Sequence, residues 1–266
     1  MNQLAGRVAV VTGAGSGIGR ALARALALEG ARIVAADLDE AGMAETTRDL
    51  DAIAVRTDVT QRSQVLALAD RAFSEFGAVH VLCNNAGVAV WGGLEHATHQ
   101  DWEWVLGVNL WGVIHGVEAF VPRMVAQGEG GHIVNTASMA GLVATQGLGV
   151  YNTSKYAVVG LSETLVKDLR PYRIGVSVLC PMGVSTQIRT SERNRPAALR
   201  NQRGERRDTG DATPVELMGA TLSAAEVASK VVRAIYGDEL YVITHDESLT
   251  PIRKRFQRIE GAITGS

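Results

Sequence analysis

The chain has 266 residues, of which 46% are hydrophobic and 20% charged, as is typical of one large globular domain and not of a disordered or fibrous protein. Its net charge of −2 gives no general attraction to nucleic acid or to an anionic membrane surface, so we expect neither as a partner. The N-terminus lacks a signal-peptide pattern and no apolar stretch predicts a spanning helix, which favours a cytoplasmic protein.

Apolar, β-branched runs alternate along the chain with helical patterns. Strands are predicted over 8–11, 32–36, 53–56, 79–83, 131–137, 175–180 and 240–244, and helices over 19–28, 63–76, 101–127, 151–169 and 250–263. Because the strands alternate with helices and are apolar throughout, they predict an α/β fold, with a doubly wound sheet of seven parallel strands in a single domain, 1–266. Pro122 is expected to kink or end the third helix, and Cys83 and Cys180 are expected to be inert core thiols.

The first predicted strand is followed by a glycine-rich turn, TGAGSGIG. Gly13, Gly17 and Gly19 lead from this turn into the first helix. Glycines there allow a tight turn and a close approach to a pyrophosphate, which a helix N-terminus stabilises. The spacing G-x-x-x-G-x-G differs from the common G-x-G-x-x-G pattern. By itself the turn also fits an ordinary strand-to-helix connection, but its place in the first unit of the sheet favours a dinucleotide site.

An acidic residue ends the second predicted strand. Asp37 follows Gly19 by 18 residues, close to the spacing at which a carboxylate binds the adenosine ribose. It would repel a 2′-phosphate, and neither Ser16 nor Leu38 supplies a compensating positive charge. Arg20 is the nearest cation, although its position past the turn allows it to face elsewhere. These residues favour NAD over NADP.

Tyr151 and Lys155 are four residues apart in a predicted helix and so share one face. A cation beside a phenol favours the phenolate and lowers the pKa of the phenol from about 10 towards the pH at which the protein works. The tyrosine could then accept a proton. Ser138 follows the fifth predicted strand, at the sheet edge where ligands of open α/β folds bind. If each feature is considered alone, Tyr151 and Lys155 could also be an ordinary pair on a helix surface, and Ser138 could be an ordinary turn residue.

These residues, together with others along the chain, make the sequence resemble the short-chain dehydrogenase/reductase family over nearly its whole length. The matching residues are Thr12, Gly13, Gly17, Gly19, the NNAG sequence at 84–87, Asn109, Ser138, Tyr151 and Lys155. The resemblance implies a Rossmann-like sheet and a reversible hydride transfer between a secondary alcohol and NAD.

The resemblance also implies individual roles. Tyr151 would be the general acid/base, Ser138 would hydrogen-bond the reacting oxygen, and Lys155 would also bind the nicotinamide ribose. Asn109, in a helix kink, would hold a water that links Lys155 to solvent. The implied cofactor site comprises Gly13, Ser16, Gly17, Ile18, Gly19, Asp37, Asp58, Val59, Asn85, Ala86, Gly87, Tyr151, Lys155, Pro181, Val184 and Thr186. No metal site is predicted.

The chain departs from the family pattern in two places. Met182 follows Pro181 where the family usually has glycine, and a basic helix over 250–263 replaces the usual C-terminal tail. Since a tetramer relies on that tail, a homodimer through the two central helices is favoured over a homotetramer. Residues 187–225 are expected to leave the sheet as a substrate lid, whose arginine-rich run 189–207 is either a solvated loop or mobile until ligand binds.

The predicted function is therefore that of an NAD-dependent oxidoreductase acting on a small-molecule secondary alcohol or ketone. An apolar wall is expected from residues that flank the motifs and favours a hydrophobic or aromatic substrate. These residues are Trp91, Leu94, Met139, Leu142, Val143 and Met182. The alternative is a non-catalytic NAD-binding module that senses redox state.

Overall fold

A computed structural model describes residues 3–201 and 219–265. The described strands form one parallel seven-stranded sheet in the order β3-β2-β1-β4-β5-β6-β7, which confirms the predicted fold. The strands are β1 (Val8–Thr12), β2 (Arg32–Asp37), β3 (Ala52–Arg56), β4 (Val81–Asn84), β5 (Gly131–Thr136), β6 (Ile174–Cys180) and β7 (Tyr241–Ile243). The order reverses between β1 and β4, and a crevice opens at such a point outside the carboxyl ends of the strands.

Helices cover both faces of this sheet. They are α1 (Gly17–Leu28), α2 (Glu40–Thr47), α3 (Arg62–Phe76), α4 (His99–Leu106), α5 (Gly112–Gln127), α6 (Gly149–Leu169), α7 (Ala224–Gly237) and α8 (Leu249–Thr264). Helices α2 and α7 were not predicted. Helix α7 begins at Ala224 after a capping box formed by Ser223 and Glu226, so the last residues assigned to the lid excursion belong to a core helix.

The two faces of β1 show why the strands are apolar throughout. Ala9 and Val11 pack into a cluster with α1 and α7, whereas Val8 and Val10 pack into a second cluster with α3 and α5. Successive side chains of a strand point to opposite faces, so burial on both faces requires an apolar residue at every position.

The third predicted helix is interrupted before Pro122. A π-helical turn, Gly107–Trp111, separates α4 from α5, while α5 continues past Pro122 to Gln127. The prediction that the helix could end at Pro122 was therefore wrong. Pro122 is exposed, so the carbonyl that loses its intrahelical partner can bond to water.

The segment His99–Gln127 is long and apolar enough, by length and composition, to cross a membrane, with a mean hydropathy of 1.4. No such segment was predicted from the sequence. Half of its most apolar window is buried inside the protein, with Phe120 and Met124 in the core beneath the sheet. Packing on the sheet thus accounts for much of this apolar character.

Both cysteines are free and buried, as predicted. Burial raises the pKa of the Cys83 thiol to about 12. It also raises the pKa of Cys180 to about 12, although the Lys155 ammonium acts in the opposite direction. Thiols that stay protonated are poor nucleophiles and poor metal ligands.

A buried histidine in β5 links folding to pH. Ser177 Oγ donates to the Glu239 carbonyl, so His132 Nε2 must donate to Ser177 Oγ across 2.8 Å. Burial lowers the pKa of His132 to about 4, against the opposing effect of Asp238. As the pH falls, His132 is therefore protonated in the unfolded chain at a higher pH than in the folded chain.

We predict that stability decreases as the pH falls from about 6.5 towards 4, because His132 is protonated in the unfolded chain before it is protonated in the folded one. Its contribution to this loss should approach about 3 kcal/mol. Urea unfolding of the parent and of His132→Gln between pH 7.5 and 4.5 tests this. The variant should show a weaker pH dependence, and the exposed His99→Gln should behave as the parent. Equal pH dependence in parent and His132→Gln would contradict the prediction.

Candidate active site

The candidate residues meet in a cleft of about 510 Å³ at the carboxyl ends of the central strands. Every residue of the predicted cofactor site lines this cleft, together with Ser138. Of the predicted catalytic residues only Asn109 lies behind its wall. The structure thus brings together residues that are up to 173 positions apart in the chain, Gly13 and Thr186.

The glycine turn is packed against the loop that follows β4. A Cβ on Gly13, whose φ is +67°, would lie 2.8 Å from Ala86 Cα, and one on Gly19 would lie 2.0 Å from the Gly13 carbonyl oxygen. Thr12 Oγ1 accepts from the backbone N–H groups of Asn85 and Ala86. Only glycine permits this close approach, and the resulting cradle before α1 suits a pyrophosphate.

Asp37 lies beside the same turn. Its carboxylate accepts from the backbone N–H of Gly15 at 2.8 Å and from that of Asp39 at 3.0 Å. Arg20 is turned away from the cleft, because it pairs with Glu45 at 2.8 Å and donates to the Gly15 carbonyl. Arg20 therefore does not compensate the negative charge of Asp37 at this end of the cleft.

Tyr151 and Lys155 lie in the first turns of α6. Lys155 is buried, and its Nζ donates to the Thr136 carbonyl at the end of β5 across 2.7 Å. The same Nζ is 5.5 Å from the centre of the Tyr151 ring. Ser138, two residues beyond β5, lines the cleft beside Tyr151, and its Oγ donates to the Pro181 carbonyl at 3.3 Å. The three predicted acid/base residues are therefore adjacent.

The protonation of this group differs from the expectation. Burial raises the pKa of Tyr151 to about 12, and the Ser138 hydrogen bond offsets this only in part. Burial also lowers the pKa of Lys155 to about 8. The structure thus does not show the predicted lowering of the tyrosine pKa, because loss of water around the phenol outweighs the effect of Ser138.

Asn109 occupies the π-helical turn and is fully buried. Its Oδ1 accepts from the Val88 N–H at 2.8 Å, and its Nδ2 donates to the Val88 carbonyl at 2.9 Å and to Ser154 Oγ at 3.1 Å. A Cβ on Gly87 would lie 3.5 Å from Asn109 Oδ1 and 3.6 Å from Lys155 Nζ. The irregular turn therefore holds the amide close to the lysine.

The predicted apolar wall is only partly present. Trp91 and Met182 line the cleft, whereas the other four predicted residues do not. Leu94, for example, packs against Gly149, and Leu142 packs in a separate core cluster. The cleft also has apolar lining residues that were not predicted, among them Val88, Trp104, Val108 and Ile188. Met182, the residue that departs from the family pattern, has its Sδ 2.9 Å from Ser248 Oγ, just before α8.

Most of the arginine-rich run is exposed where the structure describes it, but Arg195 is buried. After Thr186 the chain forms 3-10 turns at Ile188–Asn194 and Ala197–Leu199. Arg195 is buried and pairs with Asp101 of α4 at 2.8 Å, with both side chains 1% exposed. The solvated-loop interpretation therefore does not hold for Arg195, whereas Arg189, Arg193 and Arg200 are exposed and the mobile lid stays a prediction. Arg203, Arg206 and Arg207 lie outside the described residues.

We name this contact the Arg195 latch: Arg195, Asp101, Asn201 and Trp104. The guanidinium lies 5.0 Å from the centre of the Trp104 ring, and Asn201 Nδ2 donates to Asp101 at 3.1 Å. Although burial raises the pKa of Asp101, hydrogen bonds from Thr98, Arg195 and Asn201 outweigh it and hold the pKa below its usual value. Because Trp104 lines the cleft, the latch supports the cleft wall from behind.

Arg195→Ala should destabilise the protein by about 3–5 kcal/mol, because it leaves the Asp101 carboxylate buried without its counter-ion. The matched control is Arg62→Ala, which removes an exposed pair with Glu118 and should cost about 1 kcal/mol or less. Urea unfolding at pH 7 measures both. If both variants lose a similar free energy of unfolding, the buried pair contributes no more to stability than the exposed pair, and the prediction is contradicted.

A larger cleft, of about 990 Å³, opens at the opposite edge of the sheet. It is lined by residues at the amino ends of the strands, among them Arg7, His80 and Glu129. Glu129 pairs there with Arg7 at 3.0 Å and with His80 at 2.9 Å. None of the predicted site residues lines this cleft, so the smaller cleft at the carboxyl edge is the candidate active site.

The parallel sheet, its reversal point and the glycine turn define a doubly wound α/β protein of the Rossmann-like class. The chain belongs to the short-chain dehydrogenase family, because residues 7–197 match the family model described as short chain dehydrogenase. It is thus an oxidoreductase by family. The individual roles assigned to Asn109, Ser138, Tyr151 and Lys155 stay predictions.

Similar proteins cover nearly the whole chain. A short-chain dehydrogenase/reductase from Burkholderia phymatum, crystallised in complex with NAD, is 45% identical with a TM-score of 0.92, over 98% of this chain and 96% of that chain. The 1-deoxy-11-beta-hydroxypentalenate dehydrogenase of Streptomyces avermitilis is 36% identical, over 94% of this chain and 89% of that protein. The C alpha-dehydrogenase of Sphingobium sp. strain SYK-6 is 32% identical, over 97% and 87% respectively.

Proposed function

We propose that this protein is an NAD-dependent oxidoreductase that interconverts a hydrophobic or aromatic secondary alcohol and its ketone. The observation that carries the proposal is the placement of Ser138, Tyr151 and Lys155 beside one another in the cleft that also contains the glycine turn. A redox-sensing module without catalysis would require the glycine turn and Asp37 but not this acid/base group. The intact group favours an enzyme.

In this proposal the residues of the chain handle the proton and the cofactor handles the hydride. NAD, when bound, supplies the hydride acceptor. During oxidation Tyr151 takes the proton of the substrate hydroxyl while Ser138 hydrogen-bonds the same oxygen. During reduction Tyr151 returns that proton to the carbonyl oxygen. Val88, Trp104 and Met182 exclude water from the apolar part of the cleft.

Lys155 has two proposed roles. Its positive charge favours the ionised form of Tyr151, and its ammonium hydrogen-bonds the nicotinamide ribose. Since burial lowers its pKa to about 8, Lys155 can exchange a proton near neutral pH. Asn109 lies beside it and is proposed to hold the water that connects it to solvent.

NAD is preferred over NADP in this proposal because of Asp37. Its carboxylate lines the cleft and would bind the ribose hydroxyls and repel a 2′-phosphate. Arg20, which could have weakened that repulsion, pairs with Glu45. The complex of the Burkholderia phymatum relative with NAD supports the same preference.

The proposed assembly is a homodimer through the two central helical segments, 99–127 and 149–169. Half of the most apolar window in the first segment is not buried. Trp111 in its π-helical turn is 52% exposed. A second copy that covers this face would bury it, since contiguous exposed apolar surface is typical of interfaces.

Tyr151→Phe should lower turnover by about 10²- to 10⁴-fold, because it removes the hydroxyl that exchanges the proton and leaves the ring packing in place. The measurement is NADH formation over a panel of aryl, steroid, terpene and polyol alcohols. Binding of NADH, followed by its fluorescence, should remain within a few-fold of the parent. Near-normal turnover in the variant would overturn the catalytic assignment.

Asp37→Asn should reduce the preference for NAD over NADP by about 10-fold or more, because it removes the charge that binds the ribose and repels the phosphate. The amide oxygen can still accept from the Gly15 N–H, so the turn should be retained. The ratio of kcat/KM for the two cofactors measures the effect. Asp51→Asn, at an exposed position before β3, is the control, and a parent that prefers NADPH would refute the assignment.

A further inference from the structure

The chain that carries Arg189 is held in place by buried contacts two and six residues further on. Ser191 is buried, accepts from the Ala89 N–H at 3.2 Å and donates to the Ile188 carbonyl at 2.5 Å. Four residues further on, the Arg195 latch fixes the same segment to α4. The backbone that carries Arg189 is therefore set by buried contacts.

Arg189 is presented at the cleft with its hydrogen-bonding groups unused. It lines the cleft, and its guanidinium lies 5.3 Å from the centre of the Trp91 ring, which also lines the cleft. Within residues 3–201 and 219–265, this guanidinium makes neither an ion pair nor a hydrogen bond. A guanidinium stacked on an aromatic face keeps its N–H edges free for a planar anion.

The neighbouring cations are committed elsewhere. Arg193 also lines the cleft, but its NH1 donates to the carbonyls of Gln187 and Thr190, both at 2.9 Å. Lys155 is buried and donates to the Thr136 carbonyl. Among the described lining cations, Arg189 alone is left without such a partner.

The acidic residues of the cleft lie at its other end. The described lining carboxylates are Asp37, Asp39 and Asp58, which lie at or just after the carboxyl ends of β2 and β3. The end formed by the segment after β6 has arginines and apolar side chains instead. The cleft is thus polarised, with negative charge at the proposed ribose end and positive charge at the proposed substrate end.

We propose that Arg189 binds a carboxylate substituent of the substrate, so that the substrate class is an apolar secondary alcohol, or its ketone, that carries a carboxylate away from the reacting carbon. This inference rests on the proposed function, and it makes Arg189 a specificity-determining residue. Trp91 orients the guanidinium, and the apolar lining contacts the body of the substrate. Charge-assisted, two-point contacts of this kind are among the stronger polar interactions.

Matched pairs of ketones test the proposal. The probes are 4-acetylbenzoate and 3-(4-acetylphenyl)propanoate, each compared with its neutral, near-isosteric carboxamide, in reduction by NADH. The parent should favour the acids in kcat/KM by about 10-fold or more, mainly through KM, and the preference should shrink at high salt. Arg189→Gln should abolish the preference, and Arg189→Lys should retain part of it.

The control variant is Arg200→Gln, an exposed arginine of the same segment that does not line the cleft, and it should keep the parental preference. A parent that treats acids and amides alike, or an Arg189→Gln variant that still favours the acids, overturns the proposal. Calorimetric binding of the same probes in the presence of NAD separates this inference from the proposed function. Tighter binding of the acids that Arg189→Gln removes would support the anion site even without turnover, and its absence would refute the site.

Discussion

A buried ammonium organises the candidate site. Lys155 is removed from water, so its charge must be met by a protein group, and the Thr136 carbonyl meets it across 2.7 Å. This contact requires α6 to lie tightly against the chain after β5. A Cβ on Gly141 would come within 2.6 Å of the Lys155 carbonyl oxygen, so glycine at that position allows the approach. The same close packing places Ser138 next to Tyr151, and the acid/base group depends on it.

The π-helical turn connects the acid/base group with the loop after β4. Asn109 satisfies both backbone groups of Val88 and also bonds Ser154, one residue before Lys155. An ordinary helical turn would place position 109 differently, because one extra residue in a turn rotates every side chain that follows it. The helix irregularity is therefore part of the site and not a packing defect.

Features set by local pattern could be predicted from the sequence. The strands, the glycine turn and the Tyr151 to Lys155 spacing depend on neighbours within a few residues. Arg195 and Asp101 are 94 positions apart, and no local signal pairs them, so the burial of Arg195 could not be predicted from the composition of the arginine-rich run. The pKa of Tyr151 was likewise missed, because desolvation depends on packing from several elements and not on the i, i+4 lysine alone.

The contacts made by α4 couple catalysis to substrate selection in the proposed function. The carboxyl end of α4 continues directly into the π-helical turn that contains Asn109, while Asp101 near its amino end anchors Arg195. Trp104, between them, lines the cleft. A displacement of this helix would therefore move the amide beside Lys155, the cleft wall and the segment that presents Arg189 together. Because α4 has only 8 residues and is fixed at both ends by buried polar groups, such a displacement requires breaking one of those networks. Preorganisation of the proton-handling residues and of the anion-binding arginine thus has a common structural origin.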